Sequence, residues 1–345
     1  MEEYRLPISF ERRIARIMLN STRDTKKTLL ILAVISAVSG LGLSVATELC
    51  IPIAAATLAA LYLYDSDSQR KLSRGISILV IVSNLVATIF LGGYSVVLAA
   101  EAVALACAIK FCYAKGISKT ATVLYTTAIA AVFMILAFIS IPAIMEGTFS
   151  VEAVKTFYAE LYNSIKQVFV GTINDLYTNL YTTEGASAIN TADIELIFER
   201  AAYMLISLVV ICAFAISGIT LKIFSAFVAR LDSEPTRVAE WKFEMPIIYG
   251  YFFMALSLAS FFTSSSMSVF ALTMSNLYNI FLAVYAYIGT KTVYNRLIAK
   301  RSKVFAFILL LAIILIAFSL SVQILALIGV FYSIYRGKIK TLSGK

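Results

Sequence analysis

The sequence predicts an all-α integral membrane protein with about ten transmembrane helices, both termini in the cytoplasm and one external amphipathic helix. Hydrophobic residues make up 60% of the 345 residues and charged residues only 14%, whereas a soluble domain has roughly 25% charged residues. Several apolar stretches approach or exceed the roughly 20 residues that cross a bilayer core of about 30 Å. Lysine and arginine are concentrated in alternate loops between these stretches, as expected for cytoplasmic loops.

Ten apolar segments alternate with polar loops along the chain. They are 28–47, 49–64, 75–91, 95–113, 120–144, 200–229, 245–262, 269–290, 304–318 and 320–335. The second, ninth and tenth segments are short, so their separation depends on the charge of the loops. Merging 28–64 or 304–335 into a single span would place basic segments outside, against the usual bias of lysine and arginine.

The loop charges also set the orientation. With ten spans and a cytoplasmic N-terminus, 26 of the 29 lysine and arginine residues lie inside. The inside stretches are 1–27, 65–74, 110–119, 222–242, 291–303 and 336–345. The sequence therefore predicts a multi-pass protein of the cell (plasma) membrane, with the lipid bilayer as its surroundings and both ends cytoplasmic.

Four parts follow from this topology. Residues 1–27 are a basic cytoplasmic arm without the apolar stretch of a signal peptide. Residues 28–144 form a membrane domain with spans one to five, and 145–199 an external helical insertion. Residues 200–345 form a second membrane domain with spans six to ten and a basic tail.

The external insertion contains an amphipathic helix over about 150–180. Its apolar side chains recur at spacings of three and four, which is helical periodicity: Val151, Val154, Tyr158, Leu161, Ile165 and Val168. Its tyrosines form either a lid over a ligand or an interfacial belt at the headgroups, and aromatic belts favour the second interpretation. The sixth segment, from Arg200 to Arg230, is predicted to be one long helix that tilts or projects into the cytoplasm.

Glu101 and Asn84 are the candidate ligand-binding residues. Glu101 lies seven residues into the fourth segment, and Asn84 lies at a similar depth in the third. An ionisable group within a membrane span is costly and is often functional. Two interpretations stay open: a site for a cation or a proton-coupled ligand, or a protonated or hydrogen-bonded carboxyl that joins two helices.

The sequence contains no recognisable catalytic motif. Histidine is absent and no CxxC pair occurs, so we expect no metal and no catalytic triad. No phosphate-binding or hydrolase motif is present, so we predict no cofactor, no catalytic residues and no enzymatic activity. The net charge of +9 is explained by membrane orientation, so no nucleic-acid partner is expected.

The order of motifs resembles the bacterial YybS-type predicted membrane proteins. Residues 240–246 (Glu-Trp-Lys-Phe-Glu-Met-Pro) directly precede a span, Gly289 follows in the next, and 328–331 (Ile-Gly-Val-Phe) precede a basic tail. The closing motif of that family carries acidic residues after the glycine, where this chain has Tyr332 and Arg336. The resemblance implies a membrane protein and assigns it no activity.

The N-terminal part is similar to the substrate-binding components of energy-coupling-factor vitamin transporters. Those components contact a partner subunit through small residues in their first helix, which implies partner contact at Ala33 and Ala37. Our first hypothesis is a non-enzymatic component that binds a small-molecule solute and transports it with other protein subunits. The alternative is a membrane scaffold or regulatory subunit with no solute of its own.

Overall fold

The computed structural model describes residues 28–44, 47–64, 70–91, 94–147, 150–180, 191–231, 242–263, 268–316 and 318–342. Within these ranges the chain forms α-helices and one short 3-10 turn, and no strand. The basic arm predicted over 1–27 lies outside the described residues.

Twelve helices follow one another along the described chain. They are α1 (Thr28–Leu41), α2 (Thr47–Tyr64), α3 (Arg70–Leu91), α4 (Ser95–Ala114), α5 (Lys119–Glu146), α6 (Val151–Leu180), α7 (Thr191–Tyr203), α8 (Leu205–Leu231), α9 (Ile247–Thr263), α10 (Val269–Ile298), α11 (Lys303–Ile316) and α12 (Phe318–Leu342). All secondary-structure elements of the described residues are helices, which confirms the all-α part of the predicted fold class.

Six of the described helices are long and apolar enough to cross a membrane: α3, α4, α5, α8, α10 and α12. Four others, α1, α2, α9 and α11, are apolar but shorter. Together these ten helices coincide with the ten predicted apolar segments. A membrane protein with several spanning helices is therefore confirmed, whereas ten crossings and cytoplasmic termini stay predictions.

Two boundaries differ from the prediction. The single helix expected from Arg200 to Arg230 is wrong, because α7 ends at Tyr203, Met204 forms a turn and α8 begins at Leu205. The last predicted apolar segment ends at 335, whereas α12 continues to Leu342. Part of the basic tail is thus helical, which brings its residues into contact with other elements.

The helices are arranged in two compact units. Unit 1 comprises the described residues of Met1–Val154 and Ala213–Lys242. Helix α4 is its central element and packs against α2, α3 and α5. The packing is close because small residues line these helices, and every residue from Ala54 to Ala60 is fully buried.

Unit 2 comprises the described residues of Lys155–Cys212 and Phe243–Lys345. Its most extensive contact joins α10 to α12, whose backbones meet at Gly289 and Gly329. A Cβ atom on Gly329 would collide with the carbonyl oxygen of Tyr285, and one on Gly289 with that of Leu325. Only glycine permits this approach, which is the physical reason for both glycines noted in the sequence.

Candidate functional site

Asn84 links two helices of unit 1. Its side chain is 1% exposed, and its amide nitrogen donates to the carbonyl oxygen of Gly40 in α1 at 2.7 Å and to that of Val80 at 2.8 Å. Gly40 lies in the last turn of α1, where carbonyl groups lack intrahelical partners. The amide of Asn84 therefore supplies a missing donor, while its own oxygen Oδ1 has no hydrogen-bond partner in the described chain.

Glu101 is buried in the centre of unit 1 without a partner. It lies on α4, is 1% exposed, and neither carboxyl oxygen makes a hydrogen bond with a described residue. Asn84 and Glu101 are thus both in the interior but do not satisfy one another. An isolated carboxylate in such surroundings costs far more free energy than a paired one, so this group calls for a proton or a bound cation.

Hydroxyl groups hold the helices around these residues. The Ser36 hydroxyl of α1 donates to the Thr57 hydroxyl of α2 at 2.7 Å, and both residues are fully buried. At the start of α4, the Ser95 hydroxyl donates to the Asn84 carbonyl at 3.1 Å. Hydrogen bonds between helices add modest stability in a membrane and fix the relative positions of the side chains that they flank.

The two alanines proposed for partner contact differ in exposure. Ala33 is 7% exposed, and Ala37 is half-buried on the same helix. The neighbouring small residues Ser36 and Gly40 make contacts within unit 1, to Thr57 and Val80 respectively. Ala37 is accordingly the more accessible of the two, and their contact with a partner stays a prediction.

Asn276 is a structural residue that sequence reasoning missed. It lies on α10, and its oxygen accepts from the Ser207 backbone N–H at 3.1 Å while its nitrogen donates to the Tyr203 carbonyl at 3.0 Å. A continuous helix would join that N–H and that carbonyl directly. The amide of Asn276 is inserted between them, which explains the break at Met204.

A cleft of about 300 Å³ occurs in unit 2, where the segment before α9 meets the end of α12. Glu244 and Arg336 line it and form an ion pair of 2.6 Å. Phe243, Pro246 and Tyr332 also line it. The two motifs singled out in the sequence, 240–246 and the stretch after 328–331, therefore contribute to one surface.

The predicted amphipathic helix is present as α6. Four of its stripe residues are exposed: Val151 at 68%, Leu161 at 43%, Ile165 at 50% and Val168 at 70%. Aromatic rings join α6 to α7, with the ring centroids of Tyr162 and Phe198 4.9 Å apart. The exposed stripe is thus available to a bilayer surface or a protein partner.

The described residues contain no group of three or more acidic or cysteine side chains that could hold a metal ion. All four cysteines are free thiols. Among the described residues, Glu101 is the buried carboxyl of unit 1, and the other buried polar side chains of that unit carry amide or hydroxyl groups. Such a site can exchange a proton or pair with one cationic group.

Comparison with known proteins identifies the family. Neither a curated protein nor a solved structure matches the chain significantly. Residues 29–331 match the family described as predicted membrane protein, DUF2232. The match covers most of the chain, including Asn84, Glu101, Asn276 and both interlocking glycines. The chain belongs to this DUF2232 family of membrane proteins.

Proposed function

We propose that the protein is a non-enzymatic membrane component that binds a small cationic solute, or a proton that accompanies one, at Glu101. The observation that carries the proposal is the buried carboxyl with both oxygens unpartnered among the described residues. A group with only a packing role is usually satisfied by a neighbour, because an unsatisfied buried carboxyl destabilises the fold. Retaining one at the centre of unit 1 favours a ligand.

The transport setting is part of the same proposal. Ten crossings in the plasma membrane with both ends cytoplasmic agree with the ten apolar helices and with the distribution of lysine and arginine. We also propose that the protein works with partner subunits, which it contacts through Ala33 and Ala37. The support for this is the resemblance to YybS-type proteins and to substrate-binding components of energy-coupling-factor transporters. Asn84, whose oxygen Oδ1 also lacks a hydrogen-bond partner among the described residues, is proposed as a second ligand-binding residue.

The test uses a hydrophobic carbodiimide, which modifies protonated carboxyl groups within membranes. The full-length chain is held in lipid nanodiscs, and modification of Glu101 is followed by mass spectrometry in the presence of Na⁺, K⁺ or small primary amines. We expect Glu101 to react and at least one cation to slow the reaction. Glu160→Gln, which alters an exposed carboxyl of α6, is the matched control and should leave the protection unchanged.

Two results count against the solute site. The first is a Glu101 that stays inert to the reagent at every pH, with no cation added and the protein folded, because no proton then reaches it. Alternatively, the reaction proceeds at one rate whatever cation is added. Where labelling is seen, Glu101→Gln should abolish the labelled peptide, which verifies that Glu101 is the modified residue.

A second candidate is a membrane scaffold or regulatory subunit without a solute. The exposed apolar stripe of α6 favours this scaffold role, because more than two thirds of the surface of Val151 and of Val168 is exposed. A protein partner would bury this stripe, whereas an interfacial helix would lay it on the bilayer. Affinity purification of wild type and of Ile165→Glu in mild detergent distinguishes the two, since only loss of a copurifying protein supports the scaffold.

A further inference from the structure

We propose that the cleft of unit 2 binds a phosphoethanolamine group, which carries an anionic phosphate and a primary ammonium close together. The cleft is lined by residues of unit 2 alone and is independent of the Glu101 site. Its volume of about 300 Å³ lies at the lower end of the roughly 300–1,000 Å³ typical of ligand pockets. That size suits a headgroup or a small solute.

The charges of the cleft select a ligand with both signs. Arg336 and Glu244 form the ion pair at 2.6 Å, and their side chains are 36% and 28% exposed, so a ligand reaches both. A guanidinium binds phosphate through paired N–H donors, and a carboxylate accepts from an ammonium. A purely anionic ligand would sit beside Glu244 and a purely cationic one beside Arg336, and each would meet repulsion.

Hydroxyl groups and apolar side chains complete the surface. The Tyr332 hydroxyl lies 3.3 Å from Nη1 of Arg336, and the buried Ser333 lines the same cleft. The lining also includes the apolar side chains of Met245 and Ile288. A lining that combines charged, hydroxyl and apolar groups fits an amphiphile better than a fully hydrated ion.

The surroundings favour a lipid as the source of the group. Phe331 is 62% and Tyr335 69% exposed beside the cleft, as aromatic residues are at a membrane interface. The sequence stretches that precede Phe243 and follow Tyr335, 222–242 and 336–345, are predicted to be cytoplasmic. A phospholipid of the inner leaflet would then place its phosphate against Arg336 and its ammonium against Glu244, while its acyl chains lie in the bilayer.

The experiment measures lipid retention by native mass spectrometry of the full-length chain. The protein is offered phosphatidylethanolamine, phosphatidylcholine and phosphatidylglycerol with identical acyl chains. We expect phosphatidylethanolamine to be retained preferentially, because trimethylation removes the ammonium donors and glycerol removes the cation. Arg336→Gln should lower its retention by about tenfold or more, since a charge-assisted hydrogen bond is lost.

Two variants keep folding separate from binding. Lys338→Gln changes an exposed cation two residues away and should retain phosphatidylethanolamine as wild type does. The double exchange Glu244→Arg with Arg336→Glu restores the ion pair with reversed polarity. It should recover the thermal stability of wild type without recovering lipid retention, because phosphate then faces the carboxylate.

Competition by soluble phosphoethanolamine separates the two sources of the ligand. If a low concentration of soluble phosphoethanolamine displaces the lipid, the natural ligand of the cleft is a soluble molecule. If it does not displace the lipid, the natural ligand is a phospholipid. Equal retention of all three lipids by wild type, or retention that Arg336→Gln leaves unchanged, overturns the proposal. The ion pair would then only fasten the segment before α9 to α12.

Discussion

Asn84 and Glu101 are equally buried polar side chains of one unit, and they differ in whether they have partners. The amide of Asn84 donates to two carbonyl groups, whereas the carboxyl of Glu101 has no partner among the described residues. A satisfied polar group stabilises the helices that it joins, and an unsatisfied one weakens them. The same substitution should therefore have opposite effects at the two positions.

We expect Asn84→Leu to lower the free energy of unfolding by about 0.5–2 kcal/mol, because the Gly40 carbonyl loses its donor. Glu101→Leu should be neutral or stabilising, because it removes a carboxyl that is costly to bury. Thermal unfolding in detergent measures both. Equal destabilisation by the two variants would show that Glu101 has a structural partner.

Both residues were selected from the sequence because a polar side chain within an apolar segment is conspicuous. Their depth followed from a rise of about 1.5 Å per residue. Their separate roles could not be predicted, because the carbonyl that Asn84 binds belongs to Gly40, 44 residues earlier in the chain. That partner depends on the packing of α1 against α3.

At the scale of elements, the break between α7 and α8 has a distant cause. Residues 200–208 contain neither glycine nor proline, so the sequence predicted an uninterrupted helix. The amide that interrupts it belongs to Asn276, more than sixty residues later. Helix propensity depends on residues that are close in the sequence, so it cannot predict a contact with Asn276. The long apolar segments, by contrast, were predicted correctly.

Asn276→Leu removes both hydrogen bonds across the break. We expect amide hydrogen exchange at Ser207 to change, because its N–H can then bond directly to the Tyr203 carbonyl as in a continuous helix. Stability should fall by about 0.5–2 kcal/mol, because the two hydrogen bonds that join α10 to this segment are lost. Asn279→Leu is the matched control, since among the described residues that side chain reaches only the Met204 sulfur, at 3.5 Å. Unchanged exchange in Asn276→Leu would mean that the break forms without the amide.

The contact of α10 with α12 predicts a contrast between glycines. Gly329→Ala should destabilise the protein by about 1–3 kcal/mol or more, because its Cβ meets the Tyr285 backbone. Gly75→Ala, in α3, meets no atom within 4 Å and should raise stability by about 0.5–1 kcal/mol through helix propensity. Chemical or thermal unfolding of the two variants tests this contrast. Similar unfolding midpoints would contradict the close approach of the α10 and α12 backbones.

For the whole molecule, composition alone was sufficient to predict a helical membrane protein. The number of membrane crossings is harder to predict from the sequence. Helices α1 and α11 each contain 14 residues and are about 21 Å long, which is less than the bilayer core of about 30 Å. Loop charge favours ten crossings, whereas helix length alone selects six. The division of the chain at 145 and 199 also stays a prediction.

The loop between α10 and α11 discriminates between these topologies. Ten crossings place Ser302 in the cytoplasm, whereas six crossings by the long helices alone place it outside. Single cysteines at Ser302 and at the exposed Ser164 of α6 are introduced into a chain without its four natural cysteines. An impermeant thiol reagent is then applied to intact cells.

With ten crossings, this reagent should label Ser164→Cys in intact cells and label Ser302→Cys only after the membrane is opened. Labelling of Ser302→Cys from outside would contradict the ten-span topology on which the proposed transport component depends.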